Sequence, residues 1–393
     1  MSISYWLDGS QSLNKNPEKT YDYLIIGAGI AGLSTAYWLE KKWPNAKIAV
    51  IDKHSLGFGA SGRNAGFVTC GSALHFHKLD QKFGQKKAQE IWQFSEVNHQ
   101  LLLTEIIQDQ PDQVDYKKTG SCTVIPDSAS TEKFEKILST MKASNIAVDM
   151  MDAATLQKEY AVKSSAGAIE YRQDAVIHPV KLLKAIQAKL KNTQFIFGEE
   201  VFKIQSGPTT VQVSTQKQTY QASKMFVCLN GFVSQLMPEL SHIIKPQRGQ
   251  IIMTESRPQM IKGPCYLTQH LCYFRQLNTG EILIGGFRNH DSENENTAHD
   301  QATEKIQSAL ENFAKTYFEN TTDVKIKYRW SGIMGFTPDE QMIIGEHPEK
   351  KNIHLMAGCS GHGMGLSFHA AQRMVGHSFG EKLPEFFDIK RLK

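Results

Sequence analysis

With 393 residues, 40% of them hydrophobic and 21% charged, the chain has the make-up of a globular enzyme with a sizeable core, in two domains or one large one. A net charge of +4 over that length gives no concentrated basic face, so nucleic acid is not an expected partner. No run approaches the roughly 18 consecutive apolar residues of a membrane span. The opening segment, MSISYWLDGSQSLNKNPEKTYDY, lacks the basic start and apolar centre of a secretory leader, and the six cysteines are scattered without a CxxC pair. These features predict reduced thiols, a cytoplasmic location and no metal site.

In chain order, YDYLIIGAGIAGLSTAYWLEKKW reads as strand, glycine turn and helix. Tyr21–Ile26 is a short apolar run suited to a strand buried on both faces, and it runs into Gly27, Gly29 and Gly32 of a G-x-G-x-x-G pattern. Gly27 permits a tight turn, Gly29 lets backbone approach a pyrophosphate, and Gly32 lets helix pack on strand. First-turn amides and the helix dipole then favour phosphate. A second strand, KIAVID, ends at Asp52, where a carboxylate can take a ribose hydroxyl. These features fit NAD and FAD equally. The stretch GFGASGRNAGF at 57–67 follows, a second row of small residues where chain must pass close to something large, as a tricyclic flavin requires.

Further on, two helical patterns stand out, KAQEIWQFSEVNHQLLLTEIIQ and EKIQSALENFAKTYF, among β-like segments such as YKKTGSCTVI, AGAIEYR, QIIMTE, CYFRQL and EILIGGF. The polar run DSENENTAHD at 291–300 reads as a loop. Near the end, NIHLMAG is an apolar strand, CSGHGMG a glycine turn and LSFHAAQRMVG the start of a helix: a second strand-to-helix turn far from the first.

GAGIAG, VID and GASGRNAG together resemble the N-terminal third of the D-amino-acid oxidase superfamily of FAD-dependent oxidoreductases, which includes glycine and sarcosine oxidases. The SGRNAG form is most similar to the gamma-glutamylputrescine oxidase branch. DAVIHPVKLLKAI, GEEVFKIQ, FVCLNGF, PQRGQI, LIGGF, the W-x-G with TPDE at 330–340, and LMAGCSGHGMGLSF also have counterparts there, so the likeness runs from Tyr21 to Leu383.

The resemblance implies an α/β protein: a discontinuous Rossmann-like FAD-binding domain (18–80, 172–243 and 331–388) and an α+β substrate domain (81–171 and 244–330) on a mixed, largely antiparallel sheet, with the active site between them. FAD, bound without a covalent link, would lie against Gly27, Gly29, Ile30, Ala31, Gly32, Asp52 and Lys53. It would continue along Ala60, Ser61, Arg63, Asn64, Ala65, Gly66 and Phe67, with Arg63 at a phosphate or under the ring. Val201, Asn230, Gly231, Gly332, Ile333 and the 360–364 turn (Ser360, Gly361, His362, Gly363, Met364) would complete the site. The Gly363 and Met364 amides, with His362 beside them, would stabilise negative charge near N1 of reduced flavin.

The implied chemistry is hydride transfer from the carbon beside an amine nitrogen to flavin N5, giving an imine that hydrolyses, with oxygen or a quinone as final acceptor. The sequence departs from the sarcosine oxidase branch where that branch carries lysines: Gly365 replaces the one that grips substrate carboxylate, and Leu283 the one that activates oxygen. Gly332 stands where covalent attachment needs cysteine, and Arg63 where other relatives use histidine. Arg275 is the remaining carboxylate candidate, Tyr273, Trp330 and His270 are possible walls, and Arg248 reads as a domain-junction residue. The favoured substrate is an amine whose carboxylate is distant or absent, such as a gamma-glutamylputrescine-like compound. The alternatives are an amino-acid oxidase or dehydrogenase, a flavoprotein tied to tRNA modification, and a NAD-dependent dehydrogenase.

Overall fold

The computed structural model describes residues 4–7 and 17–392; residues 1–3, 8–16 and 393, including most of the segment read for a leader, lie outside the described residues. The first apolar run is strand Thr20–Ile26, and its helix is Ile30–Lys42. Leu24 and Ile25 are fully buried because the strand is interior, parallel to Ile48–Asp52 on one side and to Thr219–Val227 on the other. Thr193–Phe197 extends the sheet beyond Ile48–Asp52, and Ile353–Ala357 runs parallel to the end of Thr219–Val227, from Met225↔Ile353 to Val227↔Leu355. The antiparallel ribbon Val201–Ser206 and Val211–Thr215 takes the other half of that strand. The parallel strands therefore end on one edge, and both glycine turns leave from it, where ligands of open α/β sheets bind.

Helix Ile30–Lys42 packs beside the C-terminal helix Gly363–His377. Fully buried Leu33, Ala36, Ala370 and Ala371 belong to one core cluster, and Trp38 Nε1 donates to Phe368 O at 2.8 Å. This packing holds the helix starts from opposite ends of the chain on one side of the sheet.

The second sheet has eight strands in the order Ile326–Phe336, Lys245–Ser256, Glu281–Gly285, Cys272–Gln276, Cys265–Leu267, Ser121–Ile125, Gly167–Tyr171 and Val148–Met151. Only Cys265–Leu267 with Ser121–Ile125 is a parallel pair, so the sheet is mixed and largely antiparallel. Strand Ile326–Phe336 pairs with Lys245–Ser256 from Thr254↔Ile326 to Lys245↔Phe336, and the expected domain boundary at 330/331 falls inside it. The polar run at 291–300 is not a plain surface loop. It contains the helical turn Ser292–Glu295, and Glu295 is only 1% exposed. The buried Arg248 draws it inward through bonds of 2.7 and 3.0 Å to its carboxylate, because a desolvated guanidinium must be paired. A small third sheet joins Phe67–Val68 to Ala175–Val176 and Lys117–Lys118, fixing where the 57–67 strip leaves the glycine turns.

Candidate active site

A cavity of about 1110 Å³ runs from the carboxyl edge of the parallel sheet, past the 58–67 strip, to the second sheet. At one end it is lined by Gly27, Gly29, Ile30, Ala31, Asp52 and Lys53. Gly32 does not line it: a Cβ there would lie 1.8 Å from Gly27 O, so this glycine serves helix-to-turn packing. A Cβ on Gly29 would lie 2.9 Å from Ser61 Oγ, which in turn accepts from Ile30 N at 2.9 Å. Asp52 accepts from the amides of Ala28 and His54, each at 2.8 Å, so it braces the turn as well as facing the cavity. Burial pushes its carboxyl up, and the two amides oppose that. Val201 lines the same end, and Lys53 pairs with Glu200 at 3.2 Å.

The 57–67 strip is held from behind by donors aimed at its own carbonyls. Asn64 folds it, donating to Ala60 O and Ser61 O while its Oδ1 accepts from Gly66 N. Trp330 Nε1 donates to Arg63 O at 2.9 Å, Trp6 Nε1 to Asn64 O at 2.8 Å, and Ser4 Oγ to Gly62 O. Arg275 Nη1 reaches Gly66 O at 2.9 Å and Ala65 O and Ile177 O at 3.2 Å. Arg275 and Trp330 therefore lie under the strip, outside the cavity lining, which corrects their expected role at the substrate. The reason is electrostatic: closely packed carbonyls need donors, and these side chains supply them. Arg63 lines the cavity but its guanidinium is engaged by Phe58 O, Ser331 O and Asp300, the last at 3.3 Å, instead of standing free for a phosphate. Ala60, Ser61, Asn64, Ala65 and Phe67 line the cavity, whereas Gly66 lies against Ile177 O and Arg275.

The C-terminal turn meets the first one here. Asn230, left-handed at φ 47°, accepts from Cys359 N at 3.0 Å, and Gly231 packs against Met334 O without lining the cavity. Gly332, Ile333, Ser360, Gly361, His362, Gly363 and Met364 all line it. His362 is the N-cap residue of helix Gly363–His377, and its Nδ1 donates to Ser360 O at 3.0 Å. Burial lowers its pKa, so at neutral pH it brings a neutral imidazole beside the Gly363 and Met364 amides, with no added positive charge.

The opposite wall holds Tyr273 but not His270, which stacks on Phe287 outside the lining. Sequence reasoning missed Tyr266, Arg288 and His75. Tyr266 Oη bonds Thr69 Oγ1 at 2.6 Å. Arg288 follows Gly286 (φ 129°) and Phe287 (φ 61°), a chain reversal that turns its side chain to the cavity, with the guanidinium 4.9 Å from the Phe336 ring centre. Burial lowers its pKa against the pull of Tyr273 and Glu340. Among the described residues no hydrogen bond or ion pair holds its guanidinium. Tyr273, whose hydroxyl burial pushes up to about 12, stands near it. No group of three His, Cys, Asp or Glu among the described residues could hold a metal ion, and none of their helices is long and apolar enough to cross a membrane.

The residues fit a long dinucleotide. First-turn amides beside Ile30 and Ala31 suit a pyrophosphate, the Asp52 and Val201 end suits an adenosine, and the strip with the 360–364 turn gives two backbone-lined faces for a flat ring system. The cavity exceeds the usual 300–1,000 Å³ of a small-molecule site, so cofactor and substrate can share it. Fold and site together define a flavin-dependent oxidoreductase.

The chain belongs to the FAD dependent oxidoreductase (DAO) family, whose model matches residues 22–376. It is 26% identical over 374 residues to gamma-glutamylputrescine oxidoreductase of Escherichia coli K12, covering 92% of this chain and 84% of that one. With glycine oxidase of Bacillus licheniformis it shares 23% over 353 residues, covering 86% and 88%. The crystal structure of glycine oxidase from Geobacillus kaustophilus superposes with a TM-score of 0.76 at 18% identity, covering 94% and 97%. The protein is thus an FAD-dependent oxidoreductase acting on amines or amino acids.

Proposed function

We propose that this enzyme oxidises an amine that also carries an anionic group, a gamma-glutamylputrescine-like compound being the leading candidate. One observation carries the reading: the cavity-facing guanidinium of Arg288, beside Tyr273, has no acceptor among the described residues. The half-buried guanidinium rests over the Phe336 ring with its fork open to the cavity, and a planar fork with a hydroxyl beside it suits a carboxylate. The lining continues past Arg288 to Lys78 and Lys133, which leaves room for an elongated substrate. Bound FAD, held without a covalent link, supplies the two-electron acceptor, with oxygen or a quinone taking the electrons onward.

In this reading the strip and the 360–364 turn fix the ring plane, Arg288 and Tyr273 orient the anionic group, and Tyr266 walls the reacting end. The test is anaerobic mixing of the holoenzyme with gamma-glutamylputrescine, putrescine, glycine, sarcosine and D-alanine, followed by bleaching of the visible flavin band. The acidic amine should bleach it fastest, and Arg288→Gln should raise KM for that substrate at least tenfold. Putrescine reacting as well as gamma-glutamylputrescine, with no effect of Arg288→Gln, overturns the proposal. Fast reduction by glycine or sarcosine alone would transfer the assignment to the amino-acid alternative.

A further inference from the structure

Two histidines face the same part of the cavity from distant segments. His75, in the first turn of helix Ala73–Phe83, stacks on His362 with ring centres 4.1 Å apart and planes 29° from parallel. Because the bond from His362 Nδ1 ends on a carbonyl oxygen, that nitrogen carries the hydrogen, and in the neutral ring Nε2 is left as a bare acceptor. The His75 ring has no hydrogen-bond partner among the described residues; it is half-buried and faces the cavity, where an entering group can meet it. Of the lining's other bases, Asp52, Glu199 and Glu200 lie at the adenosine end, Asp300 is paired with Arg63, Glu340 is exposed, and His54 packs on Phe58. His77, on His75's own helix, and His299 also line the cavity, but neither stacks on His362.

We infer that the stacked His75–His362 pair accepts the proton that a substrate ammonium must lose before its carbon can be oxidised. This rests on the reading of the enzyme as an amine oxidiser. A protonated amine has no lone pair on nitrogen with which to form a C=N bond. Transfer of one N–H proton to a bare imidazole nitrogen gives the neutral amine and an imidazolium. The carbon beside the nitrogen then loses hydride, with both C–H electrons, to the bound cofactor, and the nitrogen lone pair closes the C=N bond of a protonated imine. Carbon is oxidised, the cofactor is reduced, and the imidazolium later releases its proton to solvent.

The electrostatics suit a base that accepts one proton at a time. Burial holds both imidazoles below the ordinary histidine range. Lys78 on His75's own helix acts on both rings in the same sense, and Arg288 on the opposite wall acts so on His362; Glu340 pulls the other way. Lys133, from the adjoining helix Thr131–Ala143, also lines the cavity. Two rings at 4.1 Å cannot both be charged cheaply, so the pair, neutral at rest, takes up at most one extra proton.

The experiment uses holoenzyme and the fastest amine of the panel. His75→Phe keeps a stacked ring and removes the base, and His75→Gln serves as a second variant if His75→Phe fails to fold. The anaerobic reduction rate at pH 7 should fall about a hundredfold in either variant, then climb about tenfold per pH unit toward the substrate amine's own pKa. A variant profile that superimposes on the wild type overturns the inference. A second readout does not need turnover: 15N spectra of the imidazoles with a tertiary-alkyl primary amine that has no α-hydrogen. One imidazole should become protonated when this ammonium binds, and none when a quaternary ammonium binds. Two rings that stay neutral with the primary amine bound reject the pair as acceptor, whereas failure of every amine to reduce the wild type rejects only the substrate reading.

Discussion

Replacing Arg275 separates a structural arginine from a substrate-binding one. Arg275→Met keeps the buried stem and deletes the guanidinium, whose Nη1 is shared among Gly66 O, Ala65 O and Ile177 O. One nitrogen has two hydrogens, and hydrogen bonds from a charged donor contribute about 1.5–3 kcal/mol each, so the gross loss is about 3–6 kcal/mol. Desolvation, which lowers this guanidinium to about 9, shows that burying the charge is itself unfavourable and offsets part of that loss. Gly66 O keeps its bond from Ile177 N at 2.9 Å, which limits the damage further. A net destabilisation of about 3 kcal/mol remains, a fall in Tm of about 3–6 °C for a chain this long. Because the strip backs the cofactor, FAD affinity should fall at least tenfold. With saturating FAD, KM should stay within about threefold of the wild type. Differential scanning calorimetry, FAD titration of the apoprotein and steady-state kinetics read the three quantities. Unchanged Tm and FAD affinity with a tenfold higher KM would put Arg275 back at the substrate and refute the packing argument.

Other perturbations test neighbouring parts of the same construction. Gly32→Ala forces a Cβ to 1.8 Å from Gly27 O and should yield unstable or insoluble protein, whereas Gly29→Ala, which meets the movable Ser61 Oγ at 2.9 Å, should fold but lose FAD affinity; equal behaviour of the two would contradict their separate roles. Trp6→Ala removes a buried indole and its bond to Asn64 O, and chemical denaturation should show a loss of about 3–5 kcal/mol; a loss under 1 kcal/mol would mean the 4–7 segment does not support the strip. Asp174, buried beneath Ser121 Oγ (2.7 Å) and Cys70 N (3.1 Å), has its pKa raised by desolvation to about 8, so between pH 4 and 8 the folded chain holds a proton the unfolded chain has lost, and its contribution to stability declines as pH rises. Asp174→Asn should therefore gain on the wild type by about 4 kcal/mol between pH 5 and pH 8, measured by urea unfolding, and a pH-independent difference would disprove the buried neutral acid.

What could be read in advance and what could not divides along the two faces of the cavity. The cofactor face is built from backbone, and backbone geometry leaves local marks: Gly27, Gly29 and Asp52 lie within one strand–turn–helix–strand unit, and the 360–364 turn carries its own strand and helix. The substrate face is built from side chains whose reach depends on distant chain. Tyr273 and Arg275 share one face of strand Cys272–Gln276, as period-two alternation requires, but two residues along a strand is about 6.6 Å. That step takes Arg275 from the cavity to the underside of the strip, and no pattern within CYFRQL states where the cavity ends. Arg288 was hidden for another reason. The positive φ angles at Gly286 and Phe287 break the strand alternation, so the side-chain direction after EILIGGF cannot be counted forward.

The same division bears on how such a scaffold can change substrate. A change at the strip or either glycine turn moves backbone that several donors hold at once: Asn64, Trp330, Trp6 and Arg275 all end on carbonyls between residues 60 and 66. The cofactor face is therefore stiff, and alterations there act on folding and FAD together. On the other face, Arg288 and the His75 ring make no polar contact with the described residues that a substitution would break. Replacing either changes charge and shape in the cavity while leaving the hydrogen-bonded frame intact. In the proposed reading, substrate choice can thus vary at low structural cost at Arg288, while a change at His75 would leave the frame intact but remove the proposed base, and Gly365 would not prevent recognition of an anion, because Arg288 approaches from the other wall.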